Sequence, residues 1–483
     1  MSKFYITTAI AYTNAPPHIG HALELIQADA FARCHRQKGE EVFFLTGTDE
    51  HGTKIARAAR DADVAPRQFT DEISTKFREL CGILNISNDD FIRTTDRERH
   101  WPAVKLIWER LAESGDLYKK KYEGLYCAGC ESFKKKSDLE DGRCSVHKIE
   151  PEKIEEENWF FKISKYKDKV KERIADGELR IVPELRKQEI LNLIDDAEDV
   201  SFSRPRENLE WGIPVPNDSS QTIYVWADAL TNYISALGYG QMSNIKGQML
   251  FEKYWPADIH LIGKDILRFH ALIWPAILLS AGLELPKAIY AHGFITVDGQ
   301  KMSKTVGNVI DPFDLIKKYG TDAVRYFLLR EIPSNEDGDF SYKNLEARYN
   351  SDLANGLGNL AARILTLAEG ENLSGGQLPS HEITHKIEAA QRAVDEKIAE
   401  FKLHEALAAI WDLIGFANGY VNDKQPWKTR NKEVIFDLVV LLENIARLLA
   451  PFMSQTAEKI LASTRDKNGN IRIKKGEALF PRL

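Results

Sequence analysis

Strand and helix signals alternate at the start of this 483-residue chain, and the same alternation returns far downstream. Phe4-Tyr5-Ile6-Thr7-Thr8 is β-rich and leads through a Pro-containing loop into a helix-period segment from about Gly20 to Lys38. Val42-Phe43-Phe44-Leu45 is a second buried-strand candidate, and Thr53 to Asp61 begins another helix. This order predicts a parallel sheet with right-handed crossovers. Downstream, Ile259-His260-Leu261-Ile262 reads as a strand, Ile266 to Ala281 as a helix and Ala288-Ile289-Tyr290 as a further strand. Both halves are expected to build one sheet, an α/β domain of residues 1–114 and 216–330.

The middle of the chain has a different character. Three cysteines lie close together there, beside the lysine runs Lys119 to Lys121 and Lys134 to Lys136 and the charged stretch Glu150 to Glu157. Residues 115–215 are therefore expected to be an insertion. After about Glu331 strand signals stop, and helix-period segments run 345–368, 385–420 and 433–462, with breaks at Ser374-Gly375-Gly376 and Gln425-Pro426. They predict a linking segment 331–350, an all-α bundle 351–465 and a basic tail 466–483. A net charge of −7, from 65 basic and 72 acidic residues, excludes a uniformly basic nucleic-acid coat but not a local basic groove. Val434 to Met453 is apolar, yet Asp437, Glu443, Asn444 and Arg447 interrupt it, so a buried helix is expected and no membrane span. Since the first residues lack the apolar core of a secretion signal, the expected location is the cytoplasm.

Cys127-Ala128-Gly129-Cys130 followed by Cys144-Ser145-Val146-His147 is a C-x2-C-x13-C-x2-H pattern. Four soft ligands in two knuckles suit a closed, tetrahedral structural zinc site, one ion per chain, that orders the insertion. Cys34 and Cys81 fall on expected helices and are taken as core residues.

Two short motifs carry the chemistry. His18-Ile19-Gly20-His21 follows the first strand and opens a helix, which places two imidazoles at an anion-binding helix N-terminus. Lys301-Met302-Ser303-Lys304-Thr305 lies in a glycine-flanked loop, where two lysines suit a departing polyphosphate. In this order, on the two halves of one α/β sheet, the pair resembles the HIGH and KMSKS motifs of the class I aminoacyl-tRNA synthetases, with KMSKT in place of KMSKS. Within that class the chain is similar to the methionine-specific branch over almost its whole length. The matching segments are Ala11-Tyr12-Thr13-Asn14, Thr46-Gly47-Thr48-Asp49-Glu50-His51-Gly52, Tyr224-Val225-Trp226-Ala227-Asp228-Ala229, His260-Leu261-Ile262-Gly263-Lys264-Asp265, Phe269-His270 and Asn359-Leu360-Ala361-Ala362-Arg363. The cysteine pattern resembles the single-knuckle zinc site of one subgroup, with His147 replacing the usual fourth Cys.

The resemblance implies a Rossmann-like catalytic domain with an inserted zinc-binding connective domain, followed by an anticodon-binding helical bundle. It implies activation of L-methionine with ATP and magnesium, then transfer to elongator and initiator methionine tRNA, by a monomer. His18, His21, Lys301 and Lys304 would be catalytic; His18, Gly20, His21, Glu24, Gly263, Asp265 and Lys304 would hold ATP. Ile10, Ala11, Tyr12, Asp49, Trp226, Ala229, Tyr233, Ile266 and His270 would bind methionine, with Asp49 on the α-ammonium group. Asn359, Arg363 and Trp427 would meet the anticodon. Plainer roles compete with these: Trp226 and Ile266 as core, Tyr233 as a helix-face aromatic, Asp49 as N-cap of the helix near Thr53, Trp427 as a hinge-packing residue and Arg363 as a surface ion-pair partner. A catalytically inactive tRNA-binding paralogue and a nucleotidyltransferase that never uses RNA are the alternative functions.

Overall fold

The computed structural model describes residues 2–483 except 128, 130, 131, 135–137, 147, 242–244, 303–306, 374–376, 466–470 and 475. The chain divides into two compact units. One comprises Met1–Pro17, Gly39–Cys81 and Asn88–Ala291; the other comprises His18–Lys38, Gly82–Ser87 and His292–Leu483.

The first unit is built on a seven-stranded sheet. Its strands lie in the order Arg180–Val182, Ala288–His292, Ile259–Gly263, Lys3–Thr8, Glu41–Asp49 and Ala11–Tyr12, with Asp90–Arg93 also on Glu41–Asp49. Lys3–Thr8 pairs in parallel with Ile259–Gly263 on one side (Ile6 opposite Ile259) and with Glu41–Asp49 on the other (Tyr5 opposite Phe43), so the two halves do share one sheet. Tyr5, Ile6, Phe44, Leu45, Leu261, Ile262, Ile289 and Tyr290 are at most 1% exposed, as expected for strands covered on both faces. Strand Arg180–Val182 lies inside the expected 115–215 insertion yet pairs in parallel with Ala288–His292 in this sheet. The antiparallel part of that region consists of Leu117–Cys127, Ser132–Lys134, Glu152–Phe161 and Val200–Ser201, with a separate three-stranded sheet over 203–223.

The second unit is mostly helical. Its helices are Ile19–Gln37, Pro312–Tyr319, Thr321–Glu331, Tyr342–Arg348, Asn359–Ala368, His381–Ala399, Leu403–Lys424, Lys432–Leu449 and Ser454–Thr464, among shorter turns. Side-chain caps fix several starts: Asp311 accepts from Phe313 N ahead of Pro312, and Asn431 accepts from Glu433 N and Val434 N. Strands do not stop at Glu331, because Gly338–Phe340 pairs in parallel with Ile295–Val297. The expected single helices 385–420 and 433–462 are each two helices, and 345–368 includes a π-helical stretch, Tyr349–Gly358. The tail is docked where it is described: the Phe480 ring meets Tyr349 edge-on, and Arg482 donates to Asn355 Oδ1 at 2.9 Å. Among the described residues no helix is long and apolar enough to cross a membrane.

Candidate active site

Ligands of open parallel sheets bind beyond the carboxyl ends of the strands. Three adjacent strands of the first unit end at residues named above. Lys3–Thr8 leads to Ile10, Ala11 and Tyr12; Glu41–Asp49 ends on Asp49; Ile259–Gly263 ends on Gly263 and is followed by Asp265, Ile266 and His270. The short strand Ala11–Tyr12 pairs with Thr48 and Asp49, and Thr13 donates from both N and Oγ1 to the Asp49 carbonyl at 3.0 Å. Asp49 does not cap the next helix: Gly52 is the N-cap of Thr53–Asp61, with no side-chain cap.

A second group closes on this edge through aromatic contacts. Trp226 lies on the helix Val225–Leu230 with Ala229, half-buried and stacked on Phe269 at 3.7 Å and 7°. It meets His270 edge-on at 6.3 Å. His270 Nδ1 is 3.0 Å from the Ile266 carbonyl, which can only accept, so Nδ1 carries the proton. Its Nε2 therefore accepts from Tyr233 OH at 2.7 Å. Burial pushes the His270 pKa down to about 4, so at neutral pH this wall is uncharged. Tyr233 is fixed from behind as well, where Tyr5 OH donates to its carbonyl at 2.7 Å. Trp226, Tyr233 and His270 thus meet in the structure, while Tyr233 is also a buried member of the hydrophobic core, on the helix Asn232–Ser235, and Trp226 packs against that core.

Sequence reasoning missed the polar frame behind this edge. Glu50, fully buried, accepts from Arg93 Nε at 2.6 Å, from Arg93 Nη2 at 2.9 Å and from Thr48 Oγ1 at 2.7 Å, while Thr95 Oγ1 also donates to it. His51 and His100 both bind Asp228. The signal was present in the Asp49-Glu50-His51 run, but the partners lie far away in sequence.

In the second unit, His18 is the N-cap of Ile19–Gln37 and forms a reciprocal cap with His21. His18 Nδ1 accepts from Gly20 N at 3.1 Å, and His21 Nδ1 accepts from His18 N at 3.1 Å; the rings stack at 3.9 Å. With both Nδ1 atoms accepting, the neutral imidazoles carry their protons on Nε2. Crowding by protein, then His18 and His292, hold the His21 pKa well below the ordinary imidazole value. Gly20 is required by space, since a Cβ there would stand 2.9 Å from the His18 ring. Glu24, one turn on, is 3.1 Å from His292 Nε2. Lys301 is exposed on the strand Gln300–Lys301, and its carbonyl accepts from Asn308 Nδ2 at 3.2 Å; Lys304 lies outside the described residues.

Two further predicted groups remain, of which the first is only partly described. Cys127 and Cys144 are buried at the ends of strands Leu117–Cys127 and Arg143–Cys144, whereas Cys130 and His147 lie outside the described residues. Cys34 and Cys81 are buried, as expected. Asn359 begins the helix Asn359–Ala368 and is exposed; Arg363, one turn later, donates to Asn422 Oδ1 at 2.7 Å. The Arg363 guanidinium sits 5.8 Å from the centre of the Trp427 ring, and Trp427 is 43% exposed on the short helix Pro426–Thr429.

A family model for class I tRNA synthetases (M) matches residues 4–138 and 134–365, and one for the anticodon-binding domain of tRNA ligase matches 380–477. The methionine--tRNA ligase of Clostridium acetobutylicum is 43% identical over 100% of this chain and 78% of its own length. That of Brucella melitensis biotype 1 is 43% identical over 96% of this chain and 93% of its own. The structure of Mycobacterium tuberculosis methionyl-tRNA synthetase in complex with methionyl-adenylate superposes with a TM-score of 0.92 at 39% identity, covering 100% of both chains. Its apo form gives 0.85 at 36% identity, covering 100% of this chain and 98% of that one. A parallel-sheet unit with an uncharged aromatic edge, a reciprocal histidine cap and matches running from residue 4 to residue 477 together place the chain in the methionyl-tRNA synthetase family of class I aminoacyl-tRNA synthetases.

Proposed function

We infer that the chain is a methionine–tRNA ligase. It joins L-methionine to ATP as methionyl-adenylate, releasing pyrophosphate, and passes the methionyl group to the 3′ terminal adenosine of methionine tRNA, elongator and initiator alike. The observation that carries this is the uncharged edge formed by Trp226, Tyr233 and His270 beside the Asp49 strand end. A long, polarisable thioether suits aromatic faces and edges, whereas a charged side chain would lose its hydration there.

The methionine carboxylate is itself the nucleophile on the α-phosphate, so the protein's work is positioning and charge stabilisation. Asp49 takes the α-ammonium group, and Ile10, Ala11, Tyr12, Trp226, Ala229, Tyr233, Ile266 and His270 surround the rest of the amino acid. His18 and His21 donate to phosphate oxygens from Nε2, as neutral hydrogen-bond donors, and Gly20 lets phosphate approach the backbone. Glu24, Gly263 and Asp265 hold the adenosine, and Lys301 and Lys304 stabilise the leaving pyrophosphate. Magnesium bound with ATP would screen the phosphate charge.

One structural zinc is assigned to Cys127, Cys130, Cys144 and His147. The fit rests on Cys127 and Cys144, both 0% exposed, and on Lys148 N donating to the Cys144 carbonyl at 2.7 Å. Bound there, zinc would order the connective insertion. Asn359, Arg363 and Trp427 are assigned to the anticodon. The proposed domains are 1–114 and 216–330 catalytic, 115–215 connective with 180–182 returned to the sheet, 331–350 linking, 351–465 anticodon-binding and 466–483 tail. A cytoplasmic monomer completes the proposal.

Methionine-dependent ATP–pyrophosphate exchange followed by charging of total tRNA tests the function. Exchange and charging are both expected. Charging-competent tRNA binding without exchange would instead favour the inactive paralogue, and exchange without charging the nucleotidyltransferase.

A further inference from the structure

Asp228 lies two residues after Trp226 and one before Ala229, with 1% of its surface exposed. Each of its oxygens meets a different imidazole: Oδ2 is 2.6 Å from His51 Nδ1, and Oδ1 is 2.7 Å from His100 Nε2. Those rings are themselves 3% and 0% exposed. An ionised carboxylate only accepts, so His51 donates from Nδ1 and His100 from Nε2. Burial alone would raise the Asp228 pKa; His51 and His100 outweigh it and hold the carboxyl below its ordinary value.

Both imidazoles lead back to the methionine edge. His51 follows Asp49 by two residues, and its main-chain N–H reaches Asp49 Oδ1 at 3.5 Å. Its ring is held edge-on between Trp211 at 5.5 Å and Trp101 at 6.0 Å. His100 is tied through Nδ1 to Ser235 Oγ at 2.8 Å, on the helix Asn232–Ser235 that carries Tyr233. A buried carboxylate with two buried imidazoles is a costly way to hold two backbone segments together, since apolar packing of similar volume would serve stability as well. What the polar tie adds is direction: the His51 bond fixes one atom of the loop against one atom of the helix, and the His100 bond holds the other carboxylate oxygen.

We propose that Asp228 and His51 are positioning residues for methionine, fixing the loop that bears Asp49 against the helix that bears Trp226 and Ala229. The tie sets the separation between the carboxylate that receives the ammonium group and the wall that receives the thioether. It rests on the assignment of Asp49 and Trp226 to methionine binding and adds the residues that hold them in register.

The experiment measures KM for methionine and for ATP separately in pyrophosphate exchange, with Tm, for four variants. His51→Leu removes the donor and is expected to raise the methionine KM about tenfold or more while leaving the ATP KM within about twofold. In His51→Asn the amide nitrogen stands where Nδ1 stands, and the methionine KM is expected to return to within about threefold of wild type. Asp228→Asn keeps the volume but cannot accept from both imidazoles through oxygen, and should show the same split as His51→Leu; it also decides the matter if His51→Leu does not fold. Trp226→Ala reports on the pocket itself. If Trp226→Ala raises the methionine KM and His51→Leu and Asp228→Asn do not, the positioning role is overturned and the pocket stands. If none of the three moves it, the methionine assignment fails first. Equal rises in both KM values with a lowered Tm, or a His51→Asn variant as impaired as His51→Leu, would mark the network as scaffolding alone and overturn the proposal.

Discussion

At the scale of single residues, the site separates into side chains legible from a motif and side chains legible only from the fold. HIGH names itself, yet the sequence does not say that both histidines turn Nδ1 inward to cap their own helix and so direct their protons outward from Nε2. Trp226, Tyr233 and His270 could be grouped by resemblance; the geometry adds that His270 is a neutral acceptor for the tyrosine and that Trp226 rests flat on Phe269. Glu50, His51 and Asp228 stood in matching segments but, like His100, received no role, because partners far apart in sequence leave no local pattern. Asp228 finds His51 across 177 residues and His100 across 128. Trp226 sets the first prediction. It offers the largest apolar face on the methionine edge, and removing it leaves a cavity beside Phe269. Trp226→Ala should raise the methionine KM by about tenfold or more, within the 1 to 3 kcal/mol that small changes in an apolar pocket command. Steady-state exchange at varied methionine decides this, and an unchanged KM removes Trp226 from the pocket.

At the scale of elements, existence was easier to read than continuity. The hydrophobic period runs on through residues 385–420, but Phe401 adopts φ +63°, and its buried ring lies 5.4 Å from Phe31, so tertiary packing breaks the helix where no Gly or Pro announces it. The π-helical Tyr349–Gly358 was equally silent, although Gly358 is explained by it: a Cβ there would stand 3.0 Å from the Leu353 carbonyl. Strand Gly338–Phe340 is too short to show a period of two and follows helix-rich sequence, which hid it. In the antiparallel insertion, Cys127 and Cys144 are buried at the ends of two strands, and a metal held there would tie those ends together. Metal analysis of the purified chain is therefore expected to find about one zinc, and Cys127→Ser should lose it together with soluble yield or activity. Fully active wild-type protein free of zinc would remove that assignment.

At the scale of the whole chain, the second unit gathers segments from three places in the sequence, and one buried ion pair shows how. Arg325, 0% exposed, binds Asp29 Oδ2 at 2.7 Å and donates to the carbonyls of Phe452 at 2.8 Å, Pro451 at 3.0 Å and Leu84 at 3.1 Å. Asp29 also accepts from Ser87 N at 2.7 Å and Ser87 Oγ at 2.6 Å, so the helix that begins with HIGH is joined to the 82–87 segment and to the turn between the last two bundle helices. Removing one partner leaves a buried charge, and Arg325→Met should cost about 3 to 5 kcal/mol of stability, read from urea unfolding. Burial alone would raise the Asp29 pKa, but Arg325, then Arg33 and Ser87, hold it below the ordinary value. The pair's contribution is therefore complete above a pH of about 4 and is lost as pH falls below it, so wild type and Asp29→Asn should converge in acid. The same unit ends in the surface that would read RNA. Trp427 is 43% exposed, presented by a helix that starts at Pro426 after a left-handed Gln425, with the Arg363 guanidinium 5.8 Å from its ring and Asn422 orienting Arg363. An exposed indole beside a guanidinium plane is a platform on which an unstacked loop base can lie. The aromatic edge around Trp226, proposed for methionine, belongs to the other unit. Trp427→Ala should consequently lower kcat/KM for charging methionine tRNA by about 10 to 100-fold, the equivalent of one stacked base. Pyrophosphate exchange without tRNA should be unaffected, because the proposed adenylate site uses none of these residues. If Trp427→Ala lost exchange and charging together, the indole would be packing the bundle; if it lost neither, the anticodon surface would have to be sought elsewhere on these helices.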